Sequence, residues 1–190
     1  MLDFLMVASK PVKRGVTEIF PKFMLRKSTD LMIRGGDFYA VWMEEKRLWS
    51  TDEQDLISLV DQEIDEYVEK KRQERSDELV VKHMWDSGSG AIDAWHKYCQ
   101  KQCRDNFHML DEKLIFSNVE TKKEDYASKK LPYPLEKGPI PGYDRLMSVL
   151  YSPGERMKIE WAIGSIVSGD SVNIQKFLVF YGSATCCDPA

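Results

Sequence analysis

Residues 175–190 read QKFLVFYGSATCCDPA, and this stretch decides what kind of core the chain would build. Phe177 to Tyr181 is an unbroken apolar run that ends at Gly182. Such a run is the pattern of a buried parallel strand delivering the chain into a nucleotide-binding turn. A phosphate loop needs G-x-x-x-x-G-K-[ST], so with Gly182 in first place the second glycine, the lysine and the hydroxyl belong at positions 187, 188 and 189. Those positions hold Cys187, Asp188 and Pro189. An aspartate in the lysine's place meets a triphosphate with a like charge. Gly182, Ser183, Ala184 and Thr185 thus open a nucleotide-binding loop that is incomplete, and the chain by itself is expected neither to bind nor to hydrolyse ATP.

The residues ahead of that run fit the front of an α/β core. Tyr143 to Tyr151 reads as a short helix, and Ser152-Pro153-Gly154-Glu155 is a capping box with proline at the first helical position, launching ERMKIEWAIGSIVSG. Gly169 and Asp170 end that helix and a short loop leads to QKFLVFYG. Before it, LPYPLEKGPIPGY (131–143) is too rich in proline and glycine for regular helix or central strand, and reads as a stiff connector. LIFSN (114–118) is a short strand candidate. Lys122, Lys123, Lys129, Lys130 and Lys137 form a local basic patch, open to phosphate contact or to plain solvation.

Nearer the start, Arg34-Gly35-Gly36-Asp37 is a turn followed by FYAVW (38–42) and LWS (48–50), an aromatic hairpin. STDEQDLISLVDQEIDEYVEKKR opens with overlapping capping boxes, Ser50 with Glu53 and Thr51 with Gln54. It places Leu56, Ile57, Val60, Ile64, Tyr67 and Val68 on one stripe, which predicts an amphipathic helix over 52–74 with its acids in solvent. Asp86-Ser87-Gly88-Ser89-Gly90 feeds a second helix, AIDAWHKYCQKQCRDNF. There His96, Cys99 and Cys103 share a face, with His108 beyond, but one straight helix cannot surround a tetrahedral ion and no CxxC partner exists, so half-buried packing is expected and no metal site.

A chain of 190 residues, 43% hydrophobic with five Trp, can bury a core. Its net charge of −4 draws no polyanion globally, so any such contact is local. Residues 10–34 concentrate Lys10, Lys13, Arg14, Lys22, Arg26, Lys27 and Arg34 against Glu18 and Asp30, with Phe20 and Phe23 interleaved. This arm can hold a phosphate backbone with bases stacked alongside, or be a solvated basic edge. The four cysteines have no framework spacing and no leader or membrane span is evident, so the expectation is a cytoplasmic chain without a membrane partner.

YDRLMSVLYSPGERMKIEWAIGSIVSGDSVNIQKFLVFYGSA resembles the region just ahead of the phosphate loop in phage and viral superfamily 3 helicases, especially those linked to primases. RGGDFYAVWMEEKRLWSTD and KLIFSN…KKEDYASKKLPYP are similar to the leading domain of such phage primase-helicases. The resemblance covers roughly residues 25 to 185, its most specific parts being WAIGSIVSGD and KFLVFYGSA. It implies an oligomeric ring that hydrolyses ATP with Mg²⁺, once the loop is complete, to move along single-stranded DNA during DNA replication in a phage-infected cell. The catalytic lysine, hydroxyl, acidic strand and arginine finger are not in this sequence, so no cofactor is expected for the chain alone.

Cys186-Cys187-Asp188-Pro189-Ala190 resembles the opening block of an intein. In that reading Cys186 attacks the Thr185 carbonyl, turning an amide into a thioester, with the rest of the intein in the same chain or on a separate polypeptide, so the expected partner is the C-terminal remainder of the helicase or a complementary intein fragment. A frameshift or an engineered end accounts for the same residues, and a stand-alone helical module binding protein or nucleic acid remains the alternative of another class. The expected architecture is α+β and mainly helical. It comprises a basic arm (1–34), an aromatic β-hairpin and helical module (35–112), a Pro/Lys-rich connector (113–142), the front of a P-loop, AAA+-like ATPase core (143–185) and a tail (186–190).

Overall fold

The computed structural model describes residues 2–24, 26–34, 38–74, 78–102, 108–174 and 176–181. The chain is α+β and divides into two compact units, Met1–Leu110 with Glu120–Lys129, and Asp111–Val119 with Lys130–Ala190. No helix among the described residues is long and apolar enough to cross a membrane.

The first unit begins not with an arm but with strands. β1 (Leu5–Lys13) and β2 (Val16–Phe23) form an antiparallel hairpin turning at Gly15, whose φ of +75° suits a residue without Cβ. β6 (Glu78–Val81) pairs parallel to β2, giving the order β1-β2-β6. Pro21 is tolerated in the middle strand because β6 pairs only with Val16 to Ile19, so the proline lies beyond the doubly flanked stretch. β3 (Leu31–Arg34), β4 (Phe38–Met43) and β5 (Leu48–Ser50) make a second antiparallel sheet. The expected aromatic hairpin is β4–β5, with β3 added from residues read as part of the arm.

α1 (Glu53–Glu74) buries Leu56, Ile57, Val60, Ile64 and Val68, the stripe its period predicts. Its cap differs from the expected boxes: the Asp52 carboxylate accepts the Gln54 N–H at 2.9 Å. Its acids also differ from a purely solvated face. Asp61 accepts the Met84 N–H at 2.9 Å and Asp65 meets His83 Nε2 at 2.9 Å, fastening the segment after β6 to the helix.

α2 (Ala91–Lys101) places fully buried Trp95 among the rings of Phe4, Phe23, Tyr39 and Tyr98, at centroid distances of 5.0 to 5.8 Å. The strands of the second sheet alternate. Leu31, Ile33, Val41 and Met43 face this main core, while Met32, Ala40 and Trp42 join Trp49, Leu110 and Tyr126 in a smaller one. Residues 120–129, expected within the connector, complete that smaller core. Trp49 Nε1 donates to the Lys123 carbonyl at 2.9 Å, the Ala127 carbonyl accepts the Trp49 N–H at 2.8 Å, and Thr121 donates to the Arg47 carbonyl. Tryptophan supplies both large apolar area and a donor that needs a partner, which explains why a polar segment is drawn in.

The second unit holds α3 (Pro141–Leu150) and α4 (Pro153–Ser168). The expected capping box is present: Ser152 N–H and Oγ–H both reach Glu155 Oε2, at 2.8 and 2.7 Å. Gly169 ends α4 at φ +82°. LIFSN contributes only an isolated bridge, Phe116 with Leu131. The expected strand at 177–181 is corrected here: residues 176–181 carry no strand pairing, and Phe177 and Tyr181 are 88% and 99% exposed. A parallel strand exists only between neighbours, and the described residues of this unit contain no sheet to receive it, so no P-loop core is formed among them.

Candidate nucleic-acid interface

The sheet β1-β2-β6 has two unlike faces, set by the pleat. Leu5 and Ile19 point to the core under α1, and on that side Ser9 Oγ lies 3.3 Å from Tyr67 Oη. The paired residues Met6 with Lys22, Ala8 with Phe20 and Lys10 with Glu18 occupy the other face. That face is open, and α2 walls it with Ala94, Lys97, Tyr98 and Lys101, leaving a groove of about 680 Å³. Lys82, just past β6, reaches the same groove.

Its charge is one-sided. Lys10, Lys22, Lys82, Lys97 and Lys101 line it against a single acid, Glu18. Glu18 Oε1 takes Lys10 at 3.1 Å and Oε2 takes Lys82 at 3.2 Å, whereas Lys22, Lys97 and Lys101 have no ion pair among the described residues. The Lys10 hydrogen bond, with Lys82 behind it, outweighs partial burial and holds the Glu18 carboxyl below the usual carboxylate range. Half-buried Phe20 is part of the floor, with the Lys10 ammonium 5.4 Å from its ring centroid.

Of the basic residues singled out from the sequence, Lys10 and Lys22 meet in this groove. Lys13 and Arg14 do not: they sit at the β1–β2 turn beside Gly15 and Val16. Arg26 is engaged by the Asp3 carbonyl, and Lys27 borders a separate cavity with Trp49, Tyr126 and His108. Lys82, Lys97 and Lys101 escaped the sequence reading. The i, i+4 spacing of Lys97 and Lys101 on one face of α2 was the available signal. Gly182, Ser183, Ala184, Thr185 and Cys186 lie outside the described residues.

No family model, curated protein or solved structure matches the chain. The groove itself therefore carries the functional argument.

Other chemistry is less favoured. The Cys99 thiol is buried, and that burial first, then the charge of Glu53, pushes it up to about 12, far from a reactive or metal-binding thiolate. His96 points elsewhere, its Nε2 3.0 Å from Glu53 Oε1. No cluster of His, Cys, Asp and Glu suited to a metal ion occurs among the described residues.

Proposed function

We propose that the open face of β1-β2-β6 holds single-stranded nucleic acid, and that the chain acts as the DNA-engaging leading module of a phage-type primase-helicase. The observation that carries this is the convergence of Lys22, Lys97 and Lys101, none of them paired among the described residues, around Phe20 on an uncovered sheet face. Lysines at the walls suit the phosphate backbone, and an aromatic ring on the floor suits a base that is free to stack, which a base inside a duplex is not. The helicase part rests on the sequence resemblance. The exposed apolar side chains of α4 are in keeping with a helix that packs on a further core.

Fluorescence anisotropy with a labelled single-stranded oligonucleotide tests the groove. Combining Lys22→Ala, Lys97→Ala and Lys101→Ala is expected to weaken binding and to lower the slope of log affinity against log salt by about 2, since each phosphate contact on a single strand contributes about 0.7. Replacing Lys13 and Arg14 instead is expected to change little. Absence of single-strand binding by the unaltered chain, or an unchanged slope in the triple variant, would sink the reading.

A further inference from the structure

Glu18 is the one acidic side chain among the described residues lining the lysine groove, and its position is central. It lies on the middle strand, two residues from Phe20 on the same face, a separation of about 7 Å along the strand. A carboxylate there opposes every phosphate that enters, so its presence calls for a compensating contact. Its two oxygens are each held by one ammonium, Lys10 at 3.1 Å and Lys82 at 3.2 Å. An ionised carboxylate has about four acceptor sites, so those two bonds leave capacity for a further donor.

Resting on the single-strand reading above, we propose that Glu18 reads the base stacked on Phe20, selecting bases whose edge carries an exocyclic amino group. The base takes the ring face now shared with the Lys10 ammonium, and that ammonium turns to the adjoining phosphate. An ionised carboxylate only accepts. The 4-amino group of cytosine donates to it, whereas the 4-keto oxygen of uracil presents a second acceptor and is repelled. Lys82 stays on Oε2 when Lys10 turns away, so the carboxylate keeps one ammonium that favours its ionised form and offers Oε1 to the base.

Cytosine and uracil differ at that edge and little elsewhere, so the test is a pair of labelled oligonucleotides of equal length, oligodeoxycytidylate and oligodeoxyuridylate, titrated against the full chain at neutral pH. The unaltered chain is expected to prefer the cytidylate by about tenfold, the scale of one well-made polar contact to a base edge. In Glu18→Gln, whose amide both donates and accepts, the preference is expected to collapse toward unity while affinity for both strands rises. A purely structural Glu18 would alter both affinities and leave their ratio alone. Equal affinities in the unaltered chain overturn the proposal without recourse to any variant, and a ratio retained in Glu18→Gln overturns it as well. Failure of both oligonucleotides to bind removes the single-strand reading itself, a result distinct from loss of preference.

Discussion

Trp95 in the first unit is fully buried and ringed by Phe4, Phe23, Tyr39 and Tyr98, whereas Trp161 in the second is 55% exposed on a helix with no buried residue. The same contrast runs through both units. Leu56, Val60 and Ile64 disappear under sheets, while Leu146, Val149, Met157 and Ile166 stay at the surface. Both α1 and α4 start at well-made caps, so the caps do not distinguish them. What differs is whether the described residues of the unit supply the opposite surface. Burying one such side chain contributes about 1.5–3 kcal/mol, and helices rely on that more than on propensity. The first unit therefore contains its own reasons to be folded; the second holds together through caps, ion pairs such as Arg156 with Glu160 at 2.7 Å, and backbone bonds to residues 112–118.

The most direct way to break this comparison is a pair of truncations. Trp95→Ala is expected to destabilise the first unit by about 3–5 kcal/mol, because it removes contacts and leaves a cavity in a packed interior. Trp161→Ala is expected to change stability by less than about 0.5 kcal/mol. Urea unfolding followed by circular dichroism measures both. Equal losses would mean that Trp161 is covered in solution, and the contrast between the units would fall.

What was legible beforehand divides along the same line of local against distant causes. α1 could be read because its stripe, first-turn acids and last-turn bases lie within its own residues, and the β4–β5 hairpin because FYAVW and LWS flank a short polar turn. The strands of β1 and β2 were hidden by their open face. Lys10, Glu18 and Lys22 alternate there with Ile19 and Pro21, so the segment reads as a charged arm unless the sheet beneath it is known. The groove was half legible for the same reason: Lys10 and Lys22 are near in sequence, but Lys82 arrives through the parallel pairing of β2 with β6, and Lys97 and Lys101 through the packing of Trp95. At 177–181 the error ran the other way. An apolar run has the composition of a buried strand, yet composition provides no neighbour to pair with.

A second test sharpens the account of the second unit through two glycines of one helix region. Gly169 has φ +82°, and a Cβ added there would lie 3.0 Å from the Glu112 carbonyl oxygen and from Lys113 Cβ. Gly169→Ala is expected to cost about 1–2 kcal/mol from the left-handed backbone alone, with crowding in addition. Gly164, inside α4, has nothing within 4 Å of such a Cβ. Gly164→Ala is expected to stabilise the helix by about 0.5–1 kcal/mol. Opposite shifts in helical thermal unfolding are the expected result. Parallel shifts would show that the Gly169 turn against residues 112–113 is not what terminates α4.

The smallest expected effect returns to the first unit, where α1 fastens the segment beyond β6. Burial works against a charge on His83, but the hydrogen bond its ring N–H donates to Asp65 and the charges of Asp61, Asp65 and Asp86 outweigh it, so its folded pKa is raised. A raised folded pKa means that the folded state binds the proton more tightly. The stabilisation is fully present below the unfolded value of about 6.5 and is lost as pH rises through the folded one. Asp61 is also raised, by burial first, and the comparison with His83→Gln isolates the histidine's share. Because His83 is partly exposed, the loss is expected to stay below about 1 kcal/mol. Unfolding free energies measured from slightly acid to slightly alkaline pH should decline through this window in the unaltered chain and flatten in His83→Gln. An identical decline in both would mean that α1 holds Lys82 and its neighbours through the Asp61 to Met84 backbone bond alone, and that the groove's wall is indifferent to pH.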